Sequence, residues 1–256
     1  MPEWPNVDIV LITYDRFNEI LDTIEALVKN LDYPTEKLRW LIADDATPGD
    51  YLARLANTET FWHLKDHEFV PTPDGNRGWG GNVNRALRYS TAPYIFQIED
   101  DYILKKPLNL KAAVAAMQVT PHMGMMRFRG TAGDHLVYHQ MEARIGDWLP
   151  DYQEGVGLQG RLSYFLIDSG SPGLYIYSHG AHLKRNMFHK HYGAYPEGLK
   201  LGHTEESYAH MVKDMMKANP YSPVICIQPE WIAMHFDHIG KSRQLTDLDI
   251  ERKVLS

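Results

Sequence analysis

Three short apolar runs in the N-terminal part of the chain end in, or are followed directly by, polar or acidic side chains. They cover residues 7–13 (VDIVLIT), 38–43 (LRWLIA) and 94–98 (YIFQI). Near-continuous apolar runs of this length are typical of parallel strands buried on both faces. Segments with helical spacing lie between them, so the alternation predicts an α/β fold: a parallel sheet with helices on both faces.

The third run is followed directly by three carboxylates, Glu99, Asp100 and Asp101. Two unit charges about 4 Å apart repel by about 4 kcal/mol at an effective dielectric constant of about 20. Water at an exposed turn could offset this repulsion, and so could a divalent cation that takes carboxylate oxygens as ligands. Ligands of open α/β sheets bind beyond the carboxyl ends of the strands, so three polar strand ends favour a site.

Charge and composition exclude several classes of protein. A formal net charge of −7 argues against general attraction to nucleic acid or anionic membranes. The single Cys226 excludes a disulfide framework within the chain and a cysteine-rich zinc site. No apolar run approaches the roughly 20 residues of a membrane span, and MPEWPNVD lacks the features of a secretory signal. We therefore expect a cytoplasmic protein without a transmembrane segment.

The second half of the chain is less regular. Strands are predicted over 123–128, 135–141, 162–167, 174–177 and 224–228, and helices over 108–119, 181–188 and 205–218. Residues 182–192 (HLKRNMFHKHY) combine Lys184, Arg185 and Lys190 with three histidines. In an acidic chain this composition predicts a positive patch, either as a solvated helix face or as a site for a phosphate group. Arg127 and Arg129 form a second basic pair.

Four motifs, in order and spacing, resemble those of the family-2 glycosyltransferases, which have the GT-A fold. They are Thr13-Tyr14-Asp15-Arg16 (family TYNR), Asp44-Asp45-Ala46-Thr47 (DDGS), Asn76-Arg77-Gly78 with Asn84 (NxGxxxxxN) and Glu99-Asp100-Asp101 (DxD). The resemblance covers roughly residues 5–110 well and 170–240 loosely. It implies a GT-A-type mixed, mostly parallel sheet in one domain, 1–240, followed by a tail, 241–256. Residues 1–110 would bind the nucleotide sugar, and 111–240 the acceptor.

This resemblance implies transfer of one sugar from a nucleoside-diphosphate sugar, most often UDP in the family, to an acceptor hydroxyl with inversion. A divalent cation, Mn2+ or Mg2+, that bridges both phosphates stabilises the charge developing on the leaving group. The implied donor-binding residues are Thr13, Tyr14, Arg16, Asp44, Asp45, Arg77, Asn84, Glu99 and Asp100. The implied metal ligands are Asp101 and Glu99, with His238 of a HIG-like segment and His235 in reserve. Because Glu99 replaces an aspartate of the family, it could instead act through water or contact the sugar.

A carboxylate base is implied by His203-Thr204-Glu205-Glu206, which resembles the family's TED segment. Glu206 aligns with the family's catalytic aspartate, and Glu205 is the second candidate. A general base contributes typically about 10²–10⁴-fold to the rate. The alternative is a helix N-terminus that carries acids because the helix dipole favours them.

Other functions and several acceptors stay open. A sugar nucleotidyltransferase would carry a glycine-rich basic loop after the first strand, where this chain has TYDRFNE. A non-catalytic nucleotide-sugar-binding module would keep Asp45 and could lose Glu206. The QxxRW segment of processive synthases is not matched, which favours single-sugar transfer. The acceptor could be a carbohydrate, a cell-surface polymer or a hydroxylated nucleobase, and the sequence does not indicate an oligomeric state.

Overall fold

The computed structural model describes residues 2–72, 74–128, 138–153, 159–171, 176–199, 202–227 and 236–238. The elements of the first half are β1 (Val7–Thr13), α1 (Phe17–Asn30), β2 (Leu38–Asp44), α2 (Tyr51–Ala56), α3 (Glu59–Trp62), β3 (His67–Phe69), α4 (Gly78–Tyr89) and β4 (Tyr94–Glu99). Those that follow are β5 (Tyr102–Leu104), α5 (Leu110–Val119), β6 (Met123–Arg127), β7 (Tyr138–Arg144), β8 (Arg161–Ile167), β9 (His182–Arg185), α6 (Phe188–Tyr192), α7 (His203–Ala218), β10 (Val224–Ile227) and β11 (Phe236–His238).

Nine strands form one mixed sheet in the order β3-β2-β1-β4-β9-β6-β10-β8-β7. Strands β1 to β4 are parallel, and β9 runs antiparallel between β4 and β6. The register sets Thr13 opposite Asp44 and Ile12 opposite Glu99, so the carboxyl ends of β1, β2 and β4 meet at one edge. The fold class predicted from the sequence is confirmed.

Apolar side chains of the parallel strands alternate between two layers, as the period of two in a strand requires. Ile9 and Leu11 of β1 pack with α1 and α5, whereas Val10 and Ile12 pack with α4 and α7. Full burial of such a side chain stabilises the fold by about 1.5–3 kcal/mol. Because β1 is covered on both faces, its sequence shows a near-continuous apolar run.

The helix predicted over 181–188 is wrong, because residues 182–185 form the strand β9. His182 and Lys184 are fully buried on the face that α7 covers, and Leu183 packs on the other face. The amine of Lys184 donates to Gln97 Oε1 at 2.5 Å and to the Tyr195 hydroxyl at 3.2 Å. Burial lowers the pKa of Lys184. The positive patch predicted for this segment is therefore wrong at these two residues.

Some other sequence predictions fall on residues that the structure does not describe or describes only in part. Ile176 and Tyr177 lie in a turn, so the strand predicted over 174–177 is wrong at its described end. Arg129, His235 and the tail 241–256 lie outside the described residues. Arg127 is buried and donates to the Ile176 carbonyl, so it does not belong to a surface patch either.

Helix α4 begins in close contact with the segment that leads into α7. A Cβ at Gly80 would come 2.3 Å from the carbonyl oxygen of Pro196 and 3.1 Å from Cγ2 of Thr204. Glycine at this position therefore lets the first turns of α4 and α7 approach each other, and both turns carry candidate site residues.

We expect Gly80→Ala to lower the free energy of unfolding by about 1–3 kcal/mol, because the backbone must move to admit the methyl group. The better helix propensity of alanine, about 1 kcal/mol, offsets only part of this loss. Gly75→Ala is the matched control, since nothing lies within 4 Å of its Cβ position. Urea denaturation measures both variants, and equal midpoints would contradict the prediction.

Candidate active site

The ends of β1, β2 and β4 are tied together by backbone hydrogen bonds beyond the sheet. The Asp45 N–H donates to the Thr13 carbonyl at 3.1 Å, and the Asp100 N–H donates to the Ile12 carbonyl at 3.0 Å. The Thr13 hydroxyl is buried and bonds the Tyr51 hydroxyl at 2.6 Å. The three polar strand ends therefore lie close together, as the sequence predicts.

Arg16 lies over two of the three consecutive carboxylates. Its Nη1 donates to Asp100 Oδ1 at 3.0 Å and also contacts Asp101 Oδ2. Asp100 and Asp101 are 3% and 1% exposed, and the Tyr14 N–H donates to Asp100 Oδ2 at 3.3 Å. Burial raises the pKa of Asp100 to about 7, although the charge of Arg16 opposes the shift. This pocket therefore accommodates positive charge next to two buried carboxylates.

Asp44, the last residue of β2, and Asp45, which follows it, accept hydrogen bonds from neighbouring loops. Asp44 Oδ2 accepts from the Thr47 N–H at 2.9 Å, and Asp45 Oδ1 accepts from the Arg77 N–H at 2.7 Å. Burial raises the pKa of both carboxyl groups. Asp45 thus fastens the start of α4 to the end of β2. The side chains of Tyr14 and Arg77 are exposed beside it.

Asn84 lies on α4 with its amide bonded at both ends. Its Nδ2 donates to the Tyr195 carbonyl at 2.9 Å and to Glu197 Oε1 at 2.7 Å, while its Oδ1 accepts from the Tyr195 N–H at 2.9 Å. The structure therefore pairs Asn84 with the segment that precedes α7.

Glu99 has different partners from the two aspartates that follow it. Its Oε1 accepts from the indole Nε1 of Trp79 at 2.8 Å. Burial, and then the charges of Asp101 and Asp100, raise the pKa of Glu99 to about 8. Glu99 is therefore hydrogen-bonded to a side chain of α4, whereas Asp100 and Asp101 are paired with Arg16.

Trp79 in turn stacks on His179, which lies in the segment before β9. The ring centroids are 3.4 Å apart and the planes differ by 10°. The backbone N–H of His179 donates to Glu205 Oε1 at 2.8 Å. Neither Trp79 nor His179 was predicted from the sequence as a site residue, because only the tertiary structure brings them together. The position of Trp79 inside the NxGxxxxxN-like motif was the available signal.

Glu205 and Glu206 leave the first turn of α7 in different directions. Glu205 is held by the backbone of His179, and its charge contributes to the raised pKa of Glu99. The side chain of Glu206 is 47% exposed, with its Oε2 3.8 Å from His203 Nδ1. One carboxylate is therefore fixed by the protein, and the other is accessible from solvent.

The metal ligands suggested by the sequence are only partly described. Within the described residues, no group of three or more His, Cys, Asp or Glu side chains is arranged to hold a metal ion. Strand β11 pairs with β5, and the backbone of His238 lies opposite Tyr102, the residue after Asp101.

No helix in the described part of the chain is long and apolar enough to cross a membrane.

Comparison with known families identifies the class of protein. The family model for glycosyl transferase family 2 matches residues 8–182, so the chain belongs to this family of glycosyltransferases. The resemblance stated from the motifs is confirmed.

Curated relatives match over part of the chain. The cellulose synthase 1 catalytic subunit (UDP-forming) of Komagataeibacter xylinus is 29% identical over 101 residues, which is 40% of this chain and 13% of the relative. The corresponding subunit of Pseudomonas fluorescens (strain SBW25) is 28% identical over 127 residues, 47% of this chain and 16% of the relative. The chain thus spans a small part of the length of these relatives.

Solved structures share the fold at low sequence identity. S. aureus TarS in complex with UDP-GlcNAc superposes with a TM-score of 0.56 at 16% identity, covering 87% of this chain and 55% of that chain. The mannosyltransferase PcManGT from Pyrobaculum calidifontis, in complex with GDP-Man and Mn2+, gives a TM-score of 0.54 at 16% identity, covering 97% of this chain and 61% of that chain. The GT-A fold is therefore shared with glycosyltransferases.

Proposed function

We propose that this protein is a metal-dependent, inverting glycosyltransferase that moves one sugar from a nucleoside-diphosphate sugar to an acceptor hydroxyl. The observation that carries the proposal is the joining of two groups of carboxylates at one sheet edge. Asp100 and Asp101 lie with Arg16, and Glu99 is linked through Trp79 and His179 to the acidic start of α7. A glycosyltransferase needs the first group of carboxylates to bind the donor and the second group to contact the sugar and the acceptor.

The donor is proposed to lie beyond β1, β2 and β4. Tyr14, Asp44 and Asp45 would line the nucleotide pocket, and the exposed Arg77 would reach the base or a phosphate. UDP is the nucleotide we propose on family frequency. The ligands of two structural neighbours, UDP-GlcNAc and GDP-Man, support a nucleotide sugar as the donor class.

The pair Asp100 and Asp101 fits a divalent cation, because it already accommodates the positive charge of Arg16. We propose Asp101 as the principal ligand, with Asp100 beside it and His238 brought close by the pairing of β11 with β5. Mn2+ or Mg2+ would act there as a Lewis acid on the diphosphate. The hydrogen bond to Trp79 supports a contact of Glu99 with the sugar rather than a place among the ligands.

Glu206 is proposed as the general base, because its exposed carboxylate can meet an acceptor hydroxyl from solvent. Glu205 would hold the His179 segment in place. The burial of His182 and Lys184 removes the main argument for an anionic acceptor, which leaves a carbohydrate hydroxyl as the acceptor we propose.

A thermal-shift panel of UDP, GDP, dTDP and CMP, each with and without Mn2+, tests the donor class. One nucleoside diphosphate is expected to stabilise the protein only when Mn2+ is present, by about 2.7 kcal/mol at 100 times its dissociation constant. Mn2+ alone is the control. UTP and GTP are added to the panel, and stabilisation by these triphosphates and not by diphosphates would favour a nucleotidyltransferase. Binding of a nucleoside diphosphate with no release of nucleoside diphosphate from any nucleotide sugar would favour a non-catalytic module.

A further inference from the structure

The stacked rings of Trp79 and His179 connect two separate parts of the site. Trp79 is on the first turn of α4, and His179 precedes β9. At a centroid separation of 3.4 Å the rings are in full contact, so a displacement of one ring displaces the other. Tyr195 packs its ring edge-on against Trp79 at 5.0 Å, and Tyr177 does the same against His179 at 5.9 Å. These contacts restrict the orientation of the stack.

Each ring residue holds one carboxylate. The Trp79 indole donates to Glu99 at the end of β4, and the His179 backbone N–H donates to Glu205 on α7. Glu99 and Glu205 are 106 positions apart in the sequence and come from different elements. The stack thus links the end of β4 to the acidic turn of α7 through two side chains and the backbone of His179.

We propose that Trp79 and His179 are positioning residues that set the separation between Glu99 and the first turn of α7. This inference rests on the proposed function. The stack keeps the carboxylate of Glu99, which is proposed to contact the sugar, at a fixed distance from the first turn of α7, which carries the proposed base Glu206. The stack's hydrogen bond goes to Glu99, whereas Asp100 and Asp101 are paired with Arg16. Loss of the stack is therefore expected to disturb the chemical step more than the binding of the nucleotide.

The expected effects follow from this arrangement. A displacement of about 1 Å between reacting groups costs roughly 10²-fold in rate, so we expect His179→Ala to lower kcat by roughly 10–10²-fold. The KM for the donor is expected to change by less than about threefold, because nucleotide contacts remain. His179→Phe keeps an aromatic ring and the backbone N–H, and is expected to recover most of the turnover. Trp79→Phe keeps the ring but loses the bond to Glu99, and is expected to remain impaired.

The test measures release of nucleoside diphosphate from a panel of UDP- and GDP-sugars, with water as the acceptor, for the wild type and these three variants. Trp62→Phe and His63→Ala are the matched controls, because both side chains are exposed and lie on or beside α3. Calorimetry with the nucleoside diphosphate and Mn2+ gives the binding constant of each variant. Both controls are expected to match the wild type in kcat and in binding.

The possible outcomes separate this inference from the proposed function. A wild type that binds no nucleoside diphosphate and also releases none from any donor would overturn the proposed function. An active wild type with unchanged kcat in His179→Ala would overturn only the positioning role. Failure of His179→Phe to recover turnover, or a loss of nucleotide affinity as large as the loss of kcat, would also overturn it. A fall in kcat at unchanged affinity, with recovery by phenylalanine, would support it.

Discussion

Replacing Glu206 with glutamine is expected to lower turnover by roughly 10²-fold or more, with donor affinity and fold unchanged. The side chain is 47% exposed, and its described contact is with the exposed His203 at 3.8 Å, so the substitution removes the base with little loss of structural contact. An amide in place of the carboxylate cannot accept the proton of the acceptor hydroxyl. Steady-state kinetics with the donor, and calorimetry with the nucleoside diphosphate, measure the two effects separately.

Glu205→Gln is the matched control for this substitution. The amide oxygen of glutamine can still accept the hydrogen bond from the His179 N–H, so the segment before β9 should stay in place. A much smaller loss of turnover is therefore expected. Full turnover in Glu206→Gln with a large loss in Glu205→Gln would assign the base to Glu205. Full turnover in both single variants and in the double variant would remove a carboxylate base from the mechanism.

Asp101→Asn is expected to abolish the part of nucleotide binding that depends on Mn2+. The carboxylate is 1% exposed and is paired with Arg16, and an amide of the same shape offers a cation a much weaker ligand. Calorimetry with UDP or GDP, in Mn2+ and in EDTA, measures the difference. Circular dichroism and the melting temperature check that the variant is folded.

Asp32→Asn is the control for this experiment, because Asp32 also accepts from a cation, Lys111, but is exposed and lies two residues after the end of α1. It should leave the Mn2+ dependence intact. Equal affinity of the wild type in Mn2+ and in EDTA would contradict a metal role for Asp101, and so would an unchanged Mn2+ dependence in Asp101→Asn.

The sheet edge was predictable because its strands are covered on both faces. Near-continuous apolar sequence at 7–13, 38–43 and 94–98 identifies such strands, and the polar residues at their ends must then share one edge. Strand β9 was not predictable in this way. Its His182 and Lys184 are polar. Lys184 is tolerated in the interior because Gln97 and Tyr195 supply partners from distant positions, and His182 bonds the carbonyl of Gly180.

The same physical reason explains which site residues were found. Asp45, Asp100 and Asp101 follow strands directly, so their location depends on local sequence. Trp79 and His179 meet through the packing of α4 against the segment before β9, and no local pattern encodes a contact between residues a hundred positions apart. The adjacent pair Glu205 and Glu206 was recognisable as acidic, but the difference in their surroundings depends on the hydrogen bond from the His179 backbone to Glu205.

The placement of β9 between β4 and β6 has a consequence for the synthesis of this protein. The strands β1 to β4 can pair as they leave the ribosome, but the open edge of β4 finds its neighbour only when residues 182–185 emerge. At about 5–20 residues per second this delay is on the order of ten seconds. During that time β4 presents unpaired N–H and C=O groups along an apolar strand, the kind of edge that pairs readily with other chains. Nascent chains of this protein should therefore depend on chaperones until β9 has been made.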